Sequence, residues 1–318
     1  MKKYTCICLI VIILLFLFCG CADTSKDNKT ITIVTTVFPE YDWTRQILGD
    51  TLSQVKLILL TDNGTDLHSY QPTIADMATI ASCDILICTG GTSDTWLGDA
   101  LSTSPSKGRT VLSLMNLLSD EEKLVEQSRH HNTEHSHEQP YDEHVWLSLK
   151  LAQRFCHAIR DALSTAMPEN AETYEKNCRN YVAQLQALDN AYTSVVDRAE
   201  LKTLLFADRF PFSYLAQDYG LECYAAFPGC SAETEASFQT ITFLAEKVDT
   251  LELPAVIILE SANEKIAKTV LETAKSKQSV IVTMDSLQSV ANVDIHNGTT
   301  YLSIMTKNLS ALKTALGQ

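Results

Sequence analysis

The sequence of 318 residues has no Cys-x-x-Cys pair, no His-Glu-x-x-His segment, a shortage of positive charge and only one long apolar run. Each shortage removes a class of function. Without Cys-x-x-Cys spacing there is no signature of a dithiol redox centre. Without His-Glu-x-x-His there is no helical zinc-hydrolase motif, so a secreted metal-dependent hydrolase with two histidines, an acid and an activated water stands only as a rival reading. Lys and Arg number 25 against 39 Asp and Glu, for a formal net charge of −14. Such a chain repels nucleic acid and anionic lipid and attracts cations.

The one apolar run is N-terminal. Lys2 and Lys3 precede it, it extends from Tyr4 to Phe18, and Cys19-Gly20-Cys21 closes it before a polar tract. This is the pattern of an export signal. Gly20-Cys21 resembles a bacterial lipoprotein cleavage site, with Cys21 as the lipidated new terminus and Asp23–Lys29 as a tether. An uncleaved anchor is the alternative, although the run is short of the ~20 residues that a span needs. Either way the remainder lies outside the cytoplasmic membrane, and loss of Lys2 and Lys3 takes its charge to about −16. Cys83, Cys88, Cys156, Cys178, Cys223 and Cys230 follow Cys21. An exported location permits disulfides without requiring them, most of these cysteines read as small buried hydrophobes, and Cys223 with Cys230 is the pair to test first.

Along the chain, apolar strand-like runs alternate with helical periodicity. "TITIVTTVFP", "QVKLILL", "DILICTGG" and "RTVLSL" read as strands. Helices are expected from Pro39 to Gly49, from Pro72 to Cys83, and over "SDTWLGDAL". From Met115 to Glu143 the alternation lapses, long for a loop in a compact domain. Two helical stretches follow, the second of about thirty residues from near Pro168 and Asn170, or roughly 45 Å. Then "TLLFA", "ECYAAF", "PAVIILE" and "SVIVTMDSL" alternate with further helices, one of them "AETEASFQTITFLAEKV" with acids in its first turn. The reading is α/β: two lobes, each a mostly parallel sheet flanked by helices, joined by a long rigid helix. The boundaries are a signal at 1–21, a tether at 22–30, an N-terminal lobe at 31–150 with a histidine-rich loop at 115–143, a helical region at 151–200, and a C-terminal lobe at 201–318. No clear sequence repeat relates the lobes.

Five of the eight histidines fall between His130 and His144. His130, His131, His135 and His137, with Glu134 and Glu138, have no fixed spacing and suit weak metal capture. His144 differs, standing at the start of an amphipathic helix. His68 follows a strand, and Glu260 and Asp285 follow two more. In parallel α/β sheets ligands bind outside the carboxyl ends of the strands, so these four positions converge if the sheets face one cleft. His157 reads as an ordinary helix histidine, His296 as a loop cap or solvated side chain, and Trp43, Trp96 and Trp146 as packing residues.

"DLHSYQPT", "CDILICTGGTSDTWL", "DEHVWLSL", "FPFSYLAQDYGL", "AETEAS", "VIILESANEKIAKTVLE" and "VTMDSL" together resemble the metal-binding lipoproteins that serve ABC transporters for zinc and manganese. The resemblance covers nearly all of the exported chain. It implies one divalent cation held between two lobes, with His68, His144 and Asp285 as ligands. The family's remaining ligand, a His or Glu three residues before Phe-x-Tyr, falls on Arg209, which cannot ligate a cation. Two arrangements are open. Asp208 shifts into the shell, or Arg209 pairs with a carboxylate such as Asp285 or Glu260 and leaves the metal fewer protein ligands plus water, with Glu233 or Glu235 taking part.

The histidine-rich loop resembles that of the zinc-handling branch, so Zn²⁺ is expected, with Mn²⁺ as alternative. The implied function is capture of the ion by a lipid-anchored monomer and delivery to an ABC permease, with no catalysis and no nucleic-acid partner. An adhesin sharing the scaffold is a further rival.

Overall fold

The computed structural model describes residues 30–103, 108–125, 141–227, 229 and 235–318. Cys21, the tether, His130, His131, Glu134, His135, His137, Glu138, Cys230 and Glu233 lie outside the described residues.

The first lobe runs β1 (Ile31–Thr35), α1 (Phe38–Leu48), β2 (Val55–Leu59), α2 (Ile74–Ser82), β3 (Ile85–Cys88), α3 (Trp96–Thr103) and β4 (Thr110–Ser113). Its four strands are parallel in the order β2-β1-β3-β4. β3 is ILIC with every residue buried, the continuous apolar run expected of a strand covered on both faces. α4 (Leu149–Ala166) and α5 (Ala171–Arg198) follow. At 28 residues α5 is about 42 Å long, and it packs against α1 of the first lobe and helices of the second.

The second lobe runs β5 (Thr203–Phe206), α6 (Ser213–Tyr219), β6 (Glu222–Ala225), α7 (Phe238–Thr250), β7 (Ala255–Leu259), α8 (Lys265–Thr273), β8 (Val280–Met284), α9 (Asn292–His296) and α10 (Tyr301–Ala315). Its parallel order, β6-β5-β7-β8, repeats that of the first sheet. The lobes are therefore topological copies without a visible sequence repeat. Both put their strand C-termini into loops that carry the polar residues of interest.

One hydrophobic core runs through both lobes. Trp43, Trp146 and Phe155 share it with Phe206, Phe212, Met284 and Tyr301. The Tyr301 ring meets Trp43 edge-on at 5.1 Å, and its hydroxyl donates to the Trp146 carbonyl at 2.6 Å. A large apolar interface of this kind opposes wide hinge motion.

Two helix starts differ from expectation. α2 begins at Ile74, because Thr73 caps it and exchanges hydrogen bonds with Asp76, leaving Pro72 outside. α7 begins at Phe238 under a Ser237 cap, so Glu235 precedes the helix and no acid lies in its first turn. Cys83, Cys88, Cys156 and Cys178 are buried. Among the described residues no helix is long and apolar enough to cross a membrane.

Candidate metal centre

The loop after β2 carries His68 on a 3₁₀ turn, Leu67–Ser69, capped by Asp66. Asp66 Oδ1 accepts the His68 backbone N–H at 3.0 Å. The long connection after β4 ends on His144, just before a second 3₁₀ turn, Val145–Leu147. These loops, 76 residues apart in sequence, bring His68 Nε2 and His144 Nε2 to 3.1 Å.

Each imidazole is held from behind. His144 Nδ1 lies 2.7 Å from Asp142 Oδ1, and both side chains are buried. His68 Nδ1 lies 2.9 Å from Ser93 Oγ and 3.2 Å from Glu143 Oε1. Ser93 Oγ donates to Glu143 Oε1 at 2.5 Å, so it accepts from His68. The Ser93 backbone N–H reaches Glu143 Oε2 at 3.0 Å. A carboxylate behind the ring favours the tautomer with the proton on Nδ1, which turns the Nε2 lone pair toward the other ring. Two such lone pairs at that separation repel one another. A shared proton or a cation relieves the repulsion.

Burial alone would raise the Glu143 pKa, but hydrogen bonds from His68 and Ser93 outweigh it and hold the group down at about 2. Glu143 is therefore a permanent anion beside His68. Its position depends on Gly90-Gly91 after β3: a Cβ on Gly91 would overlap the Glu143 side chain, and Gly90 has φ +82° with Ser113 against it. Behind Glu143 are two further acids. Burial, and then the Glu143 charge, push Asp94 up to about 6 against the backbone bond from Gly90. Burial and the Asp94 charge push Glu40 up to about 8. Trp146 presents its edge to the His144 ring at 5.2 Å and donates from Nε1 to the Ser286 carbonyl of the other lobe at 2.9 Å.

The expected acids of the second lobe hold backbone groups of their own lobe. Among the described residues no three His, Cys, Asp or Glu side chains form a group able to hold a metal ion. Asp208 spends Oδ1 on the Arg209 N–H and Oδ2 on the Leu259 N–H. Glu260 takes the Ser286 N–H at 2.9 Å and the Ser286 hydroxyl at 2.6 Å, bracing the loop after β8. Asp285 accepts from the Leu287 N–H at 2.8 Å. Leu287 has φ +60°, a strained conformation for leucine. Burial and the Glu260 charge raise the Asp285 pKa to about 6. Arg209 pairs across the cleft with Asp66 at 3.1 Å. His157 lies exposed near Arg160 and Cys178, and His296 Nδ1 bonds within its own helix to Asn292 O.

Two parallel α/β lobes on a shared core bring paired imidazoles together where the strand-end loops meet. Residues 33–315 match the ZnuA family, zinc-uptake complex component A, periplasmic, and the chain belongs to that family. The zinc-binding lipoprotein AdcA of Streptococcus pneumoniae serotype 4 is 34% identical over 289 residues, which cover 91% of this chain and 56% of AdcA. The chain thus spans little more than half the length of that relative. The high-affinity zinc uptake system protein ZnuA of Bacillus subtilis is 31% identical over 301 residues, covering 92% and 89% of the two chains. The crystal structure of the Zn(II)-bound ZnuA-like domain of Streptococcus pneumoniae AdcA matches with a TM-score of 0.73 at 30% identity, covering 91% and 100%.

Proposed function

We propose that the protein captures Zn²⁺ between His68 and His144 on the outer face of the cytoplasmic membrane and passes it to an ABC permease. The observation that carries this reading is the approach of the two Nε2 atoms to 3.1 Å, each with its Nδ1 side turned to a carboxylate. Two nitrogen ligands on one tetrahedral Zn²⁺, at about 2.0–2.1 Å each, stand about 3.3 Å apart. The pair is close to that spacing. Imidazole donors favour zinc over manganese, which prefers oxygen-rich shells of higher coordination. Asp285, in the loop after β8, is the acid to complete the shell, and water fills what remains.

His130, His131, His135 and His137 would concentrate the ion, and Cys21 would anchor the chain through lipid. A monomer suffices, because both imidazoles come from one chain. The relatives named for zinc binding and zinc uptake support the choice of metal. The test is competition: metal-depleted protein offered equal zinc and manganese should be recovered with zinc by mass spectrometry. Recovery with manganese would overturn the assignment.

A further inference from the structure

We infer that Arg209 is a positioning residue for metal capture, setting the His68 loop through Asp66 from the opposite side of the cleft. This rests on the zinc-capture reading above. Arg209 follows β5 and Asp66 follows β2, 143 residues away, and Arg209 Nη1 lies 3.1 Å from Asp66 Oδ2. Their side chains are 23% and 21% exposed, so the pair is partly shielded from the screening that weakens surface ion pairs. The other oxygen of Asp66 accepts the His68 backbone N–H. One carboxylate therefore joins the guanidinium of one lobe to the metal-binding turn of the other.

The far end of this connection is anchored as well. Asp208 Oδ1 accepts the Arg209 N–H at 2.8 Å, and Asp208 Oδ2 accepts the Leu259 N–H at 3.1 Å. The path from β7 through Asp208, Arg209 and Asp66 to His68 consists of charged hydrogen bonds, stronger than neutral ones. His68 needs such support more than His144 does. Its side chain is 20% exposed on a turn of three residues, while that of His144 is 3% exposed. Because the lobes share a core, release of the ion calls for movement of loops, and His68 is the ligand on the freer loop. Arg209 also neutralises Asp66, which keeps that carboxylate on its N–H donor and away from the incoming cation.

The test is the rate of zinc release from the full chain to a chromophoric chelator, at low and high NaCl. Arg209→Gln removes the charge. Asp66→Asn keeps an amide oxygen for the His68 N–H but loses the charge that holds the guanidinium. Each should speed release about tenfold, the scale of one charged hydrogen bond. The double variant should be no faster than either single one, since both remove the same link, and Arg209→Lys should restore most of the wild-type rate. High salt should speed release from the wild type but not from Arg209→Gln. Wild-type release from Arg209→Gln, or multiplied effects in the double variant, would overturn the inference. A wild-type chain that retains no zinc would overturn the capture reading, and the inference with it.

Discussion

One oxygen of Asp142, Oδ1, accepts both the backbone N–H of His144 at 2.9 Å and its Nδ1–H at 2.7 Å. The ring and its main chain are thereby locked to a single point, so Nε2 keeps its lone pair and its direction. Removing such a partner of a metal-binding histidine costs ~10–100-fold in affinity. Asp142→Ala should weaken zinc binding by that factor in a chelator competition while His144 remains in place. Unchanged affinity would show that the ring needs no such brace.

Gly91 makes room for Glu143, the anion beside His68. Gly91→Ala should push that carboxylate away, and the loss should resemble that of Glu143→Gln. Because the Glu143 pKa is lowered in the fold to about 2 from 4.5, its contribution to stability is complete above pH 4.5 and disappears as pH falls through 2. Acid denaturation followed by circular dichroism should show this decline in the wild type and lack it in Glu143→Gln. Parallel acid curves would contradict the assigned role.

Glu40 shows the opposite behaviour. It is fully buried and accepts from Thr36, Val37 and Thr89, yet burial and the Asp94 charge raise its pKa from 4.5 to about 8. Between those values the folded chain keeps a proton that the unfolded chain has lost, so stability falls as pH rises through 8. Glu40→Gln, a neutral isostere, should hold its melting temperature from pH 5 to pH 9 better than the wild type. Equal falls in both proteins would exclude Glu40 as the cause.

Much of this was readable from residue order, for definite reasons. β3 and β7, ILIC and AVIIL, are wholly buried, and such strands are apolar without interruption. His68 is marked by a loop directly after a strand, and His144 by the start of an amphipathic helix. Other features depend on contacts remote in sequence. Arg209 meets Asp66 from the other lobe, and no local pattern marks that pairing. Asp208 and Glu260 had the right chemistry for ligands, but backbone N–H groups from Leu259 and Ser286 take up their oxygens. Asp142 and Ser93 act through contacts with the rings, and only the Asp two residues before His144 is a local signal of such a role. The true starts of α2 and α7 followed the hydroxyl caps Thr73 and Ser237, which carried more weight than a nearby proline or nearby acids.

The two Nε2 atoms stand 3.1 Å apart, and a proton held between the rings would have to leave before zinc could take both nitrogens. Calorimetry at neutral pH in buffers of different ionisation enthalpy should give release of about one proton per ion. A heat that does not depend on the buffer would mean that no shared proton is present.

The central claim is that His68 and His144 together form the tight zinc site. Its most direct test is titration calorimetry with zinc on a chain lacking residues 129–138, so that the histidines of that segment contribute no heat, alongside the same chain carrying His68→Ala or His144→Ala. One tight site is expected in the parent, and its loss in both variants. Undiminished binding by His144→Ala would contradict it.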